Sequence, residues 1–285
     1  MKKIVSIIYV YYNTPNELTS SLNSIKKAIG KYSYEIIIVD NDSPKKLPTN
    51  LLKNTELKVI YSAKNIGFGK AANLAAKKAQ GQYLLVTNPD VIFGENSIKK
   101  LIEEAGLEKK LGALAPQQLD THGNILQSIG GAPFLPDGLF VFSFINKLFP
   151  QNKYSKRYWL PDLDRTKKQE VETLGGACIL FPKMVFLKLK GFDPRFFMYF
   201  EEADMCYRIR KLNLKLIYLP TAKITHLVGR STQDKKFIQK TFEKSRYKFF
   251  EKYHGILPAI LAELFLRLSS RIVQKKMLEI HFLKY

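Results

Sequence analysis

Cysteine is scarce in this 285-residue chain, with only Cys178 and Cys206 present. Both lie in apolar surroundings without metal-ligand spacing, which argues against a disulfide framework and against a zinc site. Such usage fits a reducing compartment, so a cytoplasmic location is expected. Long hydrophobic runs are also lacking: none reaches the roughly 18 residues of a membrane-spanning helix. The apolar N-terminus, Ile4 to Val10, is short and leads into Asn13-Thr14-Pro15 instead of a small-residue cleavage site. It reads as a buried strand and not as a leader. Internal repeats and low-complexity segments are absent. Acidic residues are few, 25 Asp and Glu against 46 Lys and Arg, for a formal charge of +21. From Tyr207 to Tyr285 there are 18 Lys and Arg and 5 acids. A basic end suits anionic partners: nucleic acid, acidic headgroups or phosphorylated substrates. No helix-turn-helix, zinc or recognition-module motif accompanies the charge, so no specific nucleic-acid partner is expected.

What is present is enough apolar content, 46%, for a substantial core. The first ninety residues alternate strand-like runs (Ile4 to Val10, Glu35 to Val39, Leu57 to Tyr61, Tyr83 to Val86) with helical patterns at Pro15 to Ile29 and Gly69 to Ala79. This alternation predicts an α/β layer with a mainly parallel sheet, whose ligands bind at the carboxyl ends of the strands. Ala113 to Gln169 is rich in Gly, Pro and aromatic residues, includes Trp159, and reads as loops and short strands for a second substrate. Val171 to Phe181 reads as a strand interrupted at Gly175-Gly176. Further strands are expected near Lys215 to Leu219 and Lys223 to His226, and two helical patterns close the chain.

Several residues have the chemistry of a site. Asp40 and Asp42 end a buried strand, where acids serve either as turn formers or as acceptors for a nucleobase or ribose. Asn65-Ile66-Gly67-Phe68-Gly69 precedes a helix, and its glycines allow close backbone approach to a ligand. Asn88-Pro89-Asp90 is a second strand end. One carboxylate is a poor metal site alone, and His226, at another strand end, is either a further ligand or a capping residue. The richest segment is Phe196 to Arg210, in which four aromatics and a methionine run directly into Glu201, Glu202 and Asp204. Acids suit a helix N-terminus. Apolar surface beside them also raises a carboxylate pKa, which favours a general base.

Seven segments occur in order: VSIIYVYYNTP, IIIVDNDS, NIGFGKAAN, YLLVTNPD, LGGACILF, GFDPRFFMYFEEADMCYRIR and ITHLVGRS. Together they resemble the inverting family 2 glycosyltransferases, in particular the bacterial rhamnosyltransferase-like branch. The resemblance covers Ile4 to Ser231 and implies a GT-A fold. In that frame residues 1–231 form the transferase domain, with a nucleotide-sugar-binding half (1–112) and an acceptor-binding, catalytic half (113–231). Residues 232–285 would be a basic amphipathic extension. By resemblance Asn13, Asp40, Asp42, Asn65, Gly67, Phe68, Gly69 and Asn88 would contact the nucleotide sugar. Asp90 and His226 would bind Mn²⁺ or Mg²⁺, Gly175, Gly176 and Ala177 would meet the acceptor, and Glu202 would be the base. Glu201 and Asp204 would support it, Asp204 through Arg208 at i+4.

Three positions depart from the family pattern. Asn88 replaces the first acid of the D-x-D motif, which weakens the metal site and leaves open a non-catalytic nucleotide-sugar-binding module. Glu replaces Asp at the base position, and Thr173 replaces an aromatic residue before the G-A-C loop. The implied donor is a dTDP- or UDP-linked sugar, rhamnose by branch, and the acceptor a lipid-linked or polysaccharide hydroxyl.

In the closing helices Lys236, Lys240, Lys244, Lys248 and Lys252 recur at every fourth position, and Leu257, Leu261, Leu264, Leu268 and Ile272 form an apolar stripe. Glu263, Arg267, Ser270, Arg271 and Gln274 form the opposite face. Such a helix lies on an anionic membrane, here the inner face of the cell membrane, or packs its leucines on the domain.

Overall fold

The computed structural model describes residues 4–48, 51, 57–230 and 234–272. In chain order the first elements are β1 (Val5–Tyr11), α1 (Pro15–Ile29), β2 (Tyr34–Asp40), β3 (Leu57–Tyr61), α2 (Phe68–Lys78) and β4 (Tyr83–Thr87). Next come β5 (Val91–Phe93), α3 (Ser97–Leu107), β6 (Leu111–Leu119), β7 (Ile129–Gly130), α4 (Asp137–Val141), α5 (Ile145–Leu148) and α6 (Lys153–Trp159). After β8 (Gln169–Glu170), β9 (Thr173–Leu174), β10 (Cys178–Pro182) and α7 (Lys183–Lys188) follow α8 (Glu201–Lys211), β11 (Lys215–His226), α9 (Lys235–His254) and α10 (Ile256–Ile272).

Nine strands form one sheet in the order β3-β2-β1-β4-β10-β6-β11-β5, with β8 also on β11. The first four are mutually parallel, β10 runs antiparallel to β4 and β6, and β6 is parallel to β11. Successive strand residues point to opposite faces, so a strand covered on both sides must be apolar throughout. Val5, Ile7, Tyr9 and Tyr11 pack with Leu18 and Ile25 of α1 and Leu101 of α3. Ile8 and Val10 pack with Ala71, Ala72 and Ala75 of α2 and with Met205 and Ile209 of α8. The alanines of α2 let that helix sit close to the sheet.

The sequence expectations change at three places. Residues 111–119 are a buried strand in the middle of the sheet, although Ala113, Ala115 and Pro116 are weak strand formers. The divide expected at 112/113 therefore falls inside β6, and the two halves share a sheet. The strands expected at Lys215 and Lys223 are one strand with an irregularity between Leu219 and Lys223. The interrupted strand near 171–181 is two strands in different sheets: β9 pairs with β7, and β10 joins the main sheet.

A third apolar cluster joins the aromatic run before α8 to the C-terminal helices. Phe196 and Phe200 pack against Phe249 and Phe250 of α9 and Ala259, Ala262 and Leu266 of α10. Gly255, at φ +87°, ends α9 in a backbone region open mainly to glycine and turns the chain into α10. Among the described residues no helix is long and apolar enough to cross a membrane. Ser270, Arg271, Ile272 and Gln274 of the expected amphipathic pattern, and Ser231 at the domain limit, lie outside the residues described at side-chain level.

Candidate active site

The parallel strands end on one side of the sheet, and most of the residues singled out above lie there. Asp40 closes β2, is buried, and accepts a hydrogen bond from Ser43 N at 2.9 Å. Asn13, in the left-handed region at φ 59°, donates its N–H to Ser43 Oγ and accepts from Lys45 N. Asp42 is also left-handed, and it is exposed.

The sequence reading passed over Asn41. Its buried side chain donates to Asn65 Oδ1 at 3.0 Å and accepts from Ile66 N at 2.9 Å, which ties the strand end to the glycine-bearing loop. An Asn between two Asp looks like turn composition, so only the fold reveals this bond. The glycines themselves make room for protein. A Cβ on Gly67, at φ +85°, would lie 2.3 Å from the carbonyl oxygen of Phe197, and Phe68 N donates to that same oxygen. A Cβ on Gly69 would lie 2.9 Å from Phe192 Cβ. The loop thus braces the lead-in to the acidic helix. Gly67→Ala is expected to cost roughly 1–3 kcal/mol through strain and that clash; a melting temperature equal to the parent's would contradict it.

Just past β4, Asn88 donates its N–H to Ala177 O at 2.8 Å, as Thr87 Oγ1 does at 3.2 Å. Gly175 N donates to Ser128 O at 2.7 Å. A Cβ on Gly176 would stand 3.6 Å from the Cβ, Cγ and Cδ of Glu202. The Gly175–Ala177 loop therefore touches the β4 end and Glu202 at once. Beyond β4, Asp90 is buried with its Oδ1 3.3 Å from His226 Nε2 at the end of β11. One carboxylate and one imidazole meet here, and among the described residues no three His, Cys, Asp or Glu form a metal-holding group. The pair fits an ion whose other positions are filled by phosphate oxygens, as divalent ions do with nucleotide substrates.

α8 begins with the acids. Tyr199 and Phe200 immediately before it both have left-handed backbones, φ 69° and 67°. Two consecutive bulky residues in that region mark a strained turn held by its surroundings. The turn buries Glu201 and half-buries Glu202 beside it, each with an enclosed Oε2 that has no hydrogen-bond partner. Burial pushes both carboxyls above the ordinary range, and in Glu201 repulsion from Glu202 adds to the effect. Glu202 lines a cavity of about 200 Å³ whose wall includes Tyr158, Trp159, Tyr199, Phe142 and Phe242 and whose floor carries Ser128 and Gly175.

Asp204 is fully buried and outside that cavity. It accepts from Arg208 Nε at 2.7 Å, the i+4 pairing read from the sequence, and also from Lys252 Nζ and Tyr253 Oη of α9. Lys252 reaches Asp193 as well, at 2.7 Å. The last of the regularly spaced lysines is thus an internal ion-pair partner. Lys252 and Tyr253 are residues the sequence could not connect to Asp204, since 48 and 49 positions separate them.

The comparisons with known proteins bear on this arrangement. The model for Glycosyl transferase family 2 matches residues 6–189. The N-acetylglucosaminyl-diphospho-decaprenol L-rhamnosyltransferase of Mycobacterium tuberculosis is 26% identical over 268 residues, 90% of this chain and 86% of that protein. Rhamnosyltransferase WbbL of Escherichia coli is 26% identical over 232 residues, 77% and 83% of the two chains. Among solved structures, GalNAc-T7 with UDP, GalNAc and Mn²⁺ superposes with a TM-score of 0.62 at 16% identity, over 93% of this chain. The chain spans only 55% of that protein. The mannosyltransferase PcManGT of Pyrobaculum calidifontis, in complex with GDP-Man and Mn²⁺, gives 0.59 at 14% identity, over 94% and 71%. These likenesses establish the GT-A type fold. With a family model matched across most of its length and the strand-end acids gathered on one side of the sheet, this chain belongs to glycosyltransferase family 2.

Proposed function

We propose that the chain transfers a sugar, with inversion, from a dTDP- or UDP-linked donor to a hydroxyl of a lipid-linked or polysaccharide acceptor in bacterial surface glycan synthesis, at the inner face of the cell membrane. Rhamnose is the favoured sugar, in keeping with the names of the two relatives above. The observation that carries the reading is the position of Glu202: on the wall of an aromatic-lined cavity, against Gly176, with one carboxylate oxygen unpartnered. A buried carboxylate of raised pKa is a stronger proton acceptor than an ordinary one. In this reading Glu202 takes the proton of an acceptor hydroxyl held against Trp159 and Tyr158, and the freed oxygen attacks the anomeric carbon opposite the diphosphate. Glu201 sits beside it as a supporting carboxyl, and Asp204 anchors its helix.

On the donor side, Asp40 and the Asn41–Asn65 bond shape a nucleoside pocket beside Asn13 and Asp42. Asp90 and His226 would hold Mn²⁺ or Mg²⁺, with Asn88 next to them. When bound, such an ion offsets charge on the departing diphosphate. Asp90→Ala is expected to weaken nucleoside-diphosphate binding by about tenfold or more with Mn²⁺ and little in EDTA. Titration calorimetry under both conditions tests this, and equal losses would make Asp90 a turn residue. The whole reading is tested by incubating the protein with dTDP-rhamnose and UDP-sugars, with and without a polyprenyl-diphosphate sugar. NMR of any product reports the anomeric configuration: inversion is the expected outcome, and retention or no transfer from any donor contradicts it.

A further inference from the structure

The apolar stripe of α10 does not serve the core. Ala259, Ala262, Glu263, Leu266 and Ser269 are its buried residues, whereas Ile256, Leu257, Ile260, Leu261, Leu264 and Leu268 are 41–67% exposed. At about 100° per residue these six lie within an arc of about 140° that points away from the buried arc. The packing alternative, with those leucines inside, is thereby reversed: the inward face carries the buried Glu263. Glu263 is held by Arg246 of α9 in a two-bond pair, Nε to Oε1 at 2.7 Å and Nη2 to Oε2 at 2.9 Å. This pair fixes the rotation of α10 about its axis, and with it the outward direction of the leucines.

The same pair connects the face to the cavity. The Arg246 guanidinium lies over the rings of Phe142 and Phe242, 5.6 and 5.7 Å from their centroids, and both rings line the cavity that holds Glu202. Ser269 of α10 accepts from Phe144 N at 2.7 Å, just after Phe142. One packed layer therefore has the apolar face on its outside and the cavity on its inside.

We propose that the Ile256–Leu268 face of α10 is a docking surface for an anionic phospholipid bilayer, and that it sets the cavity at the depth of a lipid-linked acceptor. The proposal rests on the transferase reading for the acceptor but not for the docking. Charge selects this occupant. Residues 232–285 carry 12 Lys and Arg against 5 Asp and Glu. Arg267 is exposed at the margin of the arc, and Lys236, Lys240 and Lys244 are exposed on the adjoining α9. A second copy of the chain docked here would bring the same basic flanks together, which charge repulsion opposes. An anionic bilayer meets both features, apolar burial in the headgroup region and attraction for the flanking cations.

The test is co-sedimentation of the full chain with vesicles of phosphatidylglycerol and phosphatidylcholine, beside pure phosphatidylcholine, at rising salt. The parent is expected to bind the anionic vesicles at least about tenfold more tightly, with binding that weakens as salt rises. The triple replacement Leu261→Ser, Leu264→Ser and Leu268→Ser is expected to lose at least about tenfold in vesicle affinity without a lower melting temperature, because the three side chains touch little protein. Should the triple variant melt early, the single Leu264→Glu places a repelled charge in the same face and gives the same reading. A parent that ignores anionic vesicles, or variants that bind them as the parent does, would overturn the proposal. So would a parent that is dimeric by light scattering and whose variants are monomeric, since the face would then belong to a second copy. Transfer assayed in detergent separates the two readings: docking without transfer contradicts the enzyme, and transfer without docking contradicts the surface.

Discussion

Glu202→Gln is expected to lower turnover by about a hundred- to ten-thousand-fold, the usual contribution of a general base, with donor affinity unchanged. The amide keeps the shape of the carboxyl against Gly176 and the aromatic wall but cannot take the acceptor's proton. The environment of the acid also predicts a pH signature. Burial raises the carboxyls of Glu201 and Glu202, and their proximity couples them, so the pair titrates as a unit. The acid limb of kcat/KM should therefore lie above the ordinary glutamate value of about 4.3. Glu201 is raised further, by burial and by repulsion from Glu202, so it keeps its proton to higher pH, and Glu201→Gln should leave most of the rate and the limb close to the parent's. Stability carries the matching sign. Carboxyls with raised folded-state pKa hold more protons folded than unfolded, so their contribution is full below the unfolded value and is lost as pH rises through the folded one. Steady-state pH profiles and thermal melts of the parent and both variants check these statements. Near-parent turnover in Glu202→Gln would move the base to another carboxylate.

The largest stability effect is expected at Asp204. Its replacement by Ala leaves Arg208, Lys252 and Tyr253 facing a buried site without their acceptor. Breaking a buried charge pair by removing one partner typically costs about 3–5 kcal/mol, which for a chain of this size lowers the melting temperature by roughly 6–20 °C. Lys252→Met should be milder, because Asp204 keeps Arg208 and Tyr253. The position of the cluster makes it more than a structural pair. Two residues of α9 hold the helix that presents Glu202, so at temperatures where Lys252→Met is folded its kcat should fall with donor KM little changed. A melting temperature for Asp204→Ala within about 1 °C of the parent's would show the cluster to be screened and of small worth. The cluster also bears on truncation. Removing the chain from Gly255 onward would strip Glu263 from Arg246, which is itself buried, so such a deletion is expected to destabilise the protein. Point replacements on the outer face of α10 are the cleaner probe of membrane binding.

Gly255 at the α9–α10 turn and Gly67 at the acidic helix lead-in are single glycines whose roles differ in how they could be read. Gly67 stood in a recognisable glycine run, but its neighbour across the fold, Phe197, could not be inferred from spacing. The local order of the chain did determine a great deal. Apolar runs covered on both faces specified β1, β2 and β4, the alanines of α2 specified a close helix, and acids at the ends of those strands pointed to the ligand side of the sheet. These features depend on neighbours within a few residues and on the period of each element, which a sequence carries openly. Tertiary structure alone decided the rest. Leu111–Leu119 is a strand because the centre of the sheet needs one there, not because its alanines prefer it. Asn41 ties the end of β2 to the glycine loop because Asn65 faces it, and Lys252 turns inward because Asp204 lies beneath it. The leucines of α10 were visible as a stripe, yet a stripe has no preferred side until something fixes the rotation of the helix. Here that is the Arg246–Glu263 pair, formed between residues 17 positions apart on separate helices. Its charge demanded a buried partner more strongly than the leucines demanded a core, and so the apolar face was left outside.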